Sequence, residues 1–265
     1  PMNLIEMVKA AGVVGAGGAG FPTHVKLNTN VEYFIVNAAE CEPLIETDKY
    51  LCRTFADRII RTIPQIAEAI GASKKVIALK GAYEKEIAAL KVAIREQNSD
   101  VEIFELGYFY PAGDEQTLIQ QVTGRCVPER GLPSDVGCVV DNVGTVLNIA
   151  DALEGKAVTE KYLSVVGEVE HPIQLRVPIG TPVLECVKAA HPTVSDFALI
   201  MGGPMMGKQL TEQAAMEQAV VTKTTGNILV LPKDHYLFRK ASLPMETVRK
   251  QTKSACLQCK MCTEL

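Results

Sequence analysis

Short apolar runs and amphipathic stretches alternate along the first part of the chain. Met2 to Ala11 carries apolar residues at helical spacing. Glu32-Tyr-Phe-Ile-Val-Asn37 is a brief apolar run ending in polar residues, which predicts a buried strand. From Asp48 to Gly71 the period is helical, with Ile59, Ile60, Ile63 and Ile66 on one face and Gly71 as a C-cap signal. A strand at Val76 to Leu79, a helix from Tyr83 to Gln97 and a strand at Val101 to Leu106 follow. This β-α-β-α-β order predicts a mainly parallel sheet covered by helices. Ligands of such sheets lie beyond the carboxyl ends of the strands, where Asn37 to Glu42 and Tyr110 to Glu115 fall.

The pattern changes near Gly155. Lys161-Tyr-Leu-Ser-Val-Val-Gly167 and Ile173 to Val177 read as a hairpin turned around Glu170-His171-Pro172. A helix from Pro182 to Ala190 and a strand from Phe197 to Met201 complete a β-β-α-β unit resembling a β-grasp. Beyond a polar stretch, Asn227 to Leu231 predicts a connecting strand, and a polar helix from Met245 leads into cysteines. The expected organisation is an α/β ligand domain over residues 1–155, a β-grasp α+β domain over 156–210 and a connecting segment over 211–265.

Five glycines in nine residues, Gly12 and Gly15-Ala-Gly17-Gly18-Ala-Gly20, interrupt this pattern and run straight into Phe21-Pro22-Thr23-His24 and Lys26. Glycine removes the Cβ and permits positive φ, so backbone N–H groups can approach a phosphate. The G-x-G-x-x-G spacing is met, but a helix rather than a strand is expected ahead of it, so an ordinary dinucleotide fold is not implied.

Charge narrows the partners. With 27 basic and 31 acidic residues well mixed along 265, the net charge of −4 offers no basic block for nucleic acid or anionic membrane. No apolar run is long enough to span a bilayer and no leader pattern opens the chain, so a cytoplasmic protein without a membrane span is expected. Pro1 ahead of Met2 reads as a cloning remnant. Cys41, Cys52, Cys126, Cys138 and Cys186 sit among apolar neighbours and read as free thiols of a reducing compartment.

Four segments together carry a family resemblance. Gly15-Ala-Gly-Gly-Ala-Gly-Phe-Pro-Thr23 with Lys26 resembles the FMN-binding loop of the NADH-oxidising flavoprotein subunit of respiratory complex I. Asn37-Ala-Ala-Glu40-Cys-Glu42-Pro43, Tyr110-Pro-Ala-Gly113-Asp114-Glu115 and Asp141-Asn142-Val-Gly-Thr145 resemble its next three signatures, in order. The spelling is nearer to two related families, the RnfC proteins of Rnf electron-transport complexes and the cobalamin (corrin) reductases of propanediol-utilisation microcompartments. Phe21 to Leu27, Gly202-Gly-Pro-Met-Met-Gly207 and Lys223-Thr-Thr-Gly226 favour the latter. Ala16, Ala39, Asp141 and Gly144 depart from the complex I spelling, which has arginine, aspartate, asparagine and glutamate there.

The resemblance implies a Rossmann-like FMN domain in which the backbone of Gly15, Gly17, Gly18 and Gly20 wraps the cofactor and Lys26 meets the flavin. It adds Asn37, Glu40, Tyr110, Gly113 and Asp114 to the cofactor set, and gives Asn142 and Thr145 the phosphate or ribityl chain. Taken singly, each Asn or Thr reads equally as a turn or cap. Phe21, Glu42 and Glu115 are the candidates for positioning NADH, by stacking and by bonding ribose hydroxyls; no residue is singled out as a catalytic acid or base, His24 included. The second domain resembles a soluble-ligand-binding (SLBB) β-grasp, whose reading here is structural, with vitamin binding as the alternative.

Cys256, Cys259 and Cys262 have the spacing that opens C-x₂-C-x₂-C-x₃-C-P, a 4Fe–4S ligand pattern, with zinc as the lesser alternative. The chain ends at Leu265, one residue before the next cysteine of that pattern, and reads as truncated within a ferredoxin-like segment whose cluster is incomplete. The function implied is a flavin module that takes hydride from NADH onto FMN and passes single electrons to 4Fe–4S clusters. Cobalamin or a cobalamin-handling protein is the implied acceptor, and a bacterial microcompartment an implied setting with other electron-transfer or microcompartment proteins as partners. An Rnf-type protein, another NADH-recycling reductase and a non-catalytic β-grasp adaptor are the alternatives.

Overall fold

The computed structural model describes residues 2–260. Helix α1 (Leu4–Ala10) is opened by an Asn3–Glu6 capping box and leads into the glycine loop, after which come α2 (Thr23–Lys26) and strand β1 (Tyr33–Asn37). Helices α3 (Thr47–Thr54) and α4 (Ala56–Ala69) precede β2 (Lys74–Lys80), α5 (Glu84–Glu96), β3 (Glu102–Leu106) and α6 (Glu115–Thr123). Strand β4 (Cys138–Asn142) runs directly into α7 (Val143–Leu153).

These strands form a parallel sheet of order β3-β2-β1-β4. Both faces are covered, so β1 is apolar throughout: Phe34 and Val36 enter the core beneath the helical layer, while Ile35 enters the core beneath α6. Ile59, Ile60, Ile63 and Ile66 of α4 are fully buried, each contributing about 1.5–3 kcal/mol. The long helix expected over Asp48 to Gly71 is broken at Phe55, which takes φ −123° and ψ 25°. The Phe55 ring lies edge-on to Tyr162 at 5.6 Å between centroids, and Tyr50 packs on the same ring at 6.3 Å. Packing against the second domain thus overrides a helical periodicity that runs on through the break.

The second sheet has the order β6-β5-β9-β7-β8, from β5 (Glu160–Gly167), β6 (Ile173–Pro178), β7 (Phe197–Met201), β8 (Lys208–Leu210) and β9 (Asn227–Pro232). Between these strands lie α8 (Val183–Ala189) and α9 (Gln213–Gln218), on one face of the sheet; α10 (Tyr236–Ala241) covers the other through Phe238. The expected β-β-α-β unit is present, but β9 is no connector. It is the middle strand, parallel to β5 and antiparallel to β7, and burial of Asn227 to Leu231 explains the apolar run Ile228 to Leu231. The β-grasp sheet therefore includes a strand from well beyond residue 210. Helix α11 (Met245–Ala255) buries no residue. Among the described residues no helix is long and apolar enough to cross a membrane.

Candidate functional site

Chain order places the site. From β1 the chain crosses to β2 and β3 on one side, while β4 returns on the other, so the sheet has a switch point between β1 and β4. The carboxyl ends of these two strands are the residues Asn37 and Asn142, side by side in register. Crevices at such points receive ligands, and here a cleft of 1410 Å³ opens over both asparagines and continues to the second domain.

The glycine loop forms one lip of this cleft. Its neck is closed by Gly15 N–H donating to the Phe21 carbonyl at 2.9 Å and by a bridge between Val14 and Pro22. The tip is fixed at Ala16. Its N–H donates to Thr145 Oγ1 at 2.9 Å, and its carbonyl accepts from Lys161 Nζ at 3.1 Å. Gly17 borders the cleft, with a Cβ there meeting Asn142 at 3.3 Å. Gly18 adopts φ +122° with open space around it, a conformation that L side chains avoid. Lys223 of the second domain donates to the Gly12 carbonyl behind the loop.

The asparagines have internal work as well. Asn37 donates to the Gly113 carbonyl at 2.8 Å and accepts from Ala39 N–H, tying two expected site segments together. Gly113 N–H donates to Cys41 Sγ at 2.7 Å, and a Cβ at Gly113 would collide with the Ala39 carbonyl. Asn142 caps α7, accepting from Gly144 N–H and donating to Asp48 Oδ2, both at 2.8 Å. Asp114 caps α6 through Thr117 N–H.

Of the residues expected from sequence, Gly17, Gly18, Asn37, Glu40 and Glu42 line the cleft, as do Tyr110, Gly113, Asp114 and Asn142. Gly15, Gly20 and Thr145 shape the loop from behind its surface. Phe21 is half-exposed beside the cleft and off its wall. Lys26 and Glu115 are also off the wall. They pair with each other at 2.9 Å, and Lys26 further donates to the Val140 carbonyl at 2.6 Å and lies 3.8 Å from Asp141. Glu42, expected to bond ribose hydroxyls, accepts from Met205 N–H and Met206 N–H at 2.8 Å each, clasping the Gly203–Gly207 turn of the second domain. The sequence offers no signal for this pairing, since the partners are more than a hundred and sixty residues apart.

Electrostatics in the cleft are unusual. Burial, with Asp48 nearby, pushes the Glu40 carboxyl up to about 7, although Glu42 N–H donates to it. Asp48 is partly buried, and desolvation likewise raises its carboxyl, opposed by the Asn142 hydrogen bond and by Lys161. Burial draws Lys161 down to about 8, with Asp48 opposing. Sequence motifs mark neither Asp48 nor Lys161 as a site residue. The only sequence signal for Lys161 is a cation at the start of a largely apolar strand. Cys256 and Cys259 lie exposed beyond α11, where Gln258 N–H donates to Cys256 Sγ at 3.4 Å; Cys262 falls outside the described residues. Among the described residues no group of three His, Cys, Asp or Glu is placed to hold a metal ion.

The cleft suits a phosphate-bearing aromatic cofactor. Its glycine lip has space where side chains would intrude, a buried cation stands behind that lip, and amide groups mark the switch point. Its volume also exceeds the roughly 300–1,000 Å³ of ordinary small-molecule sites.

Comparisons with known proteins agree with this geometry. The chain is 46% identical over 98% of its length to the cobalamin reductase PduS of Citrobacter freundii. It is 34% identical over 97% of its length to an RnfC protein, a component of the Na(+)-translocating ferredoxin:NAD(+) oxidoreductase complex of Acetobacterium woodii. It spans 56% of each of these relatives. Among solved structures, the NAD+-reducing [NiFe]-hydrogenase in the H2-reduced state superimposes with a TM-score of 0.76 at 25% identity, covering 88% of this chain and 47% of that one. Residues 8–151, which contain the glycine loop, both asparagines and the parallel sheet, match the Nuo51 FMN-binding domain, and the chain belongs to that family of oxidoreductase flavoproteins.

Proposed function

We propose that this chain is the flavin module of an NADH-dependent electron-transfer reductase. The observation that carries the reading is the 1410 Å³ cleft at the β1–β4 switch point, walled by the open glycine lip and by Asn37, Gly113 and Asn142. The glycine lip, Asn37, Gly113 and Asn142 would hold FMN, with Tyr110 on the adjoining wall. Bound flavin accepts two electrons together as hydride and releases them one at a time. The residues of the chain bind and orient. Gly113, held by Asn37 and Cys41, fixes the Tyr110–Asp114 turn against the end of β1. Glu40, with its carboxyl near 7, can hold or release a proton at neutral pH on the cleft wall. Glu42 accepts the Met205 and Met206 N–H groups, one on each carboxylate oxygen, so it couples the two domains and keeps acceptor capacity that a nicotinamide ribose hydroxyl could use.

By the same reading, electrons would pass onward to 4Fe–4S clusters, with Cys256, Cys259 and Cys262 as ligands. The likeness to PduS favours cobalamin as acceptor and a microcompartment as setting. The second reading, an Rnf-type protein working beside membrane partners, is favoured by the likeness to the Acetobacterium woodii relative. Reconstitution with FMN followed by anaerobic NADH titration tests the proposal in the visible spectrum. A bound flavin band that bleaches with NADH supports it. A band that bleaches only with dithionite removes the NADH site, and no bound flavin removes the proposal and favours the adaptor.

A further inference from the structure

The domain that binds the glycine loop from behind brings a charge with it. Lys161 lies on β5, is 8% exposed and borders the cleft. An ammonium carries three donors, yet Lys161 has one hydrogen bond among the described residues, to the Ala16 carbonyl. No carboxylate comes within ion-pair distance of it there; Asp48 acts on it electrostatically from farther off and also accepts from Asn142. A buried cation left so incompletely paired is costly unless an anion completes its shell. Of the other lysines near the loop, Lys26 is already engaged by Glu115, Asp141 and the Val140 carbonyl, and Lys223 donates to the Gly12 carbonyl.

Resting on the flavin reading above, we propose that Lys161 is the cation that binds the phosphate group of the cofactor, so that the second domain completes the site of the first. Its position suits this role. The lysine holds the Ala16 carbonyl, Ala16 N–H is held by Thr145, and Gly17 and Gly18 follow directly at the cleft edge. Phosphate arriving at the glycine lip meets the two remaining ammonium donors and the amino-terminal end of the eleven-residue α7, whose Asn142 cap stands against Gly17. Burial already weakens the hold of Lys161 on its proton, and a dianion beside it would strengthen that hold again.

The test compares FMN with riboflavin, which lacks the phosphate, using flavin fluorescence to measure binding to the wild-type chain, Lys161→Met and Lys161→Arg. Lys161→Met should weaken FMN roughly ten- to hundredfold, the range of one lost charge-assisted contact, and leave riboflavin unchanged. Lys161→Arg should retain most of the FMN preference. Equal losses for both flavins would make Lys161 a support of the loop alone and overturn the proposal, as would no loss for either. If the wild-type chain binds neither flavin, the flavin reading itself falls. Should Lys161→Met fail to fold, the wild-type side-chain ¹⁵N signal, assigned with Lys161→Arg, decides. It should shift on adding FMN and stay on adding riboflavin, and an unmoved signal with FMN bound refutes the assignment.

Discussion

Asp141 offers the sharpest test of the electrostatics beneath the site. It lies on β4, one residue before Asn142, and is 3% exposed. Its Oδ1 is 3.8 Å from Lys26 Nζ, and its Oδ2 has no hydrogen-bond partner. Burial pushes the carboxyl from 3.8 up to about 7; Lys26 opposes the rise and Glu115 adds to it. Between these two values the folded protein holds a proton that the unfolded chain has lost, so stability falls as pH rises through this window and stays low above 7. Three pH units at 1.36 kcal/mol each set a ceiling of ~4 kcal/mol on the cost of the ionised carboxylate. Asp141→Asn keeps the shape and removes the charge. Urea denaturation of the flavin-free protein from pH 4 to 8.5 should give curves that coincide near pH 4 and separate to a plateau above 7, with the variant more stable. A variant less stable than wild type at pH 8 would refute the reasoning, because Asp141 would then be a productive ionised partner of Lys26.

Four other substitutions probe the clasp, the turn and the loop. Glu42→Gln forfeits one of two charge-assisted bonds to the Met205–Met206 turn at a partly exposed rim; a loss of about 1–2 kcal/mol and faster proteolysis of that turn are expected, and unchanged melting and cleavage would deny the clasp. Gly113→Ala forces a Cβ against the Ala39 carbonyl and 3.0 Å from Cys41 Sγ, costing about 1–3 kcal/mol by thermal melting and weakening FMN, whereas Gly18→Ala meets no atom and should cost less in packing than in backbone strain. Thr145→Val removes the acceptor of the buried Ala16 N–H, so about 1–3 kcal/mol of stability and part of the FMN affinity should go, both read on the same purified variant.

Much of the first domain was legible because local patterns there coincide with tertiary roles. The apolar run at β1 is buried on both faces of a parallel sheet, and the isoleucine face of α4 meets the core under any arrangement of that sheet. The glycine loop was legible for a similar reason: positive φ and missing side chains are properties of the residues themselves. Asn37 and Asn142 were named from motifs, but their adjacency follows from register between two strands about a hundred residues apart.

Long-range geometry decided the rest. The break at Phe55 depends on Tyr162 waiting across the domain boundary, and β9 takes the middle of the second sheet because pairing with both β5 and β7 satisfies its backbone where isolation would not. The exchange of roles among charged residues has the same origin. Glu42, Glu115 and Lys26 are spelled as ligand contacts, yet each has a partner supplied by a distant segment. Lys161, spelled as an ordinary strand lysine, is left with donors to spare. Sequence by itself determined which backbone could open toward a phosphate and which faces must be buried, since these depend on side-chain size, polarity and period. Only the tertiary structure decided which charges remain for a ligand, because a charge is available only after every closer partner in space has taken its share.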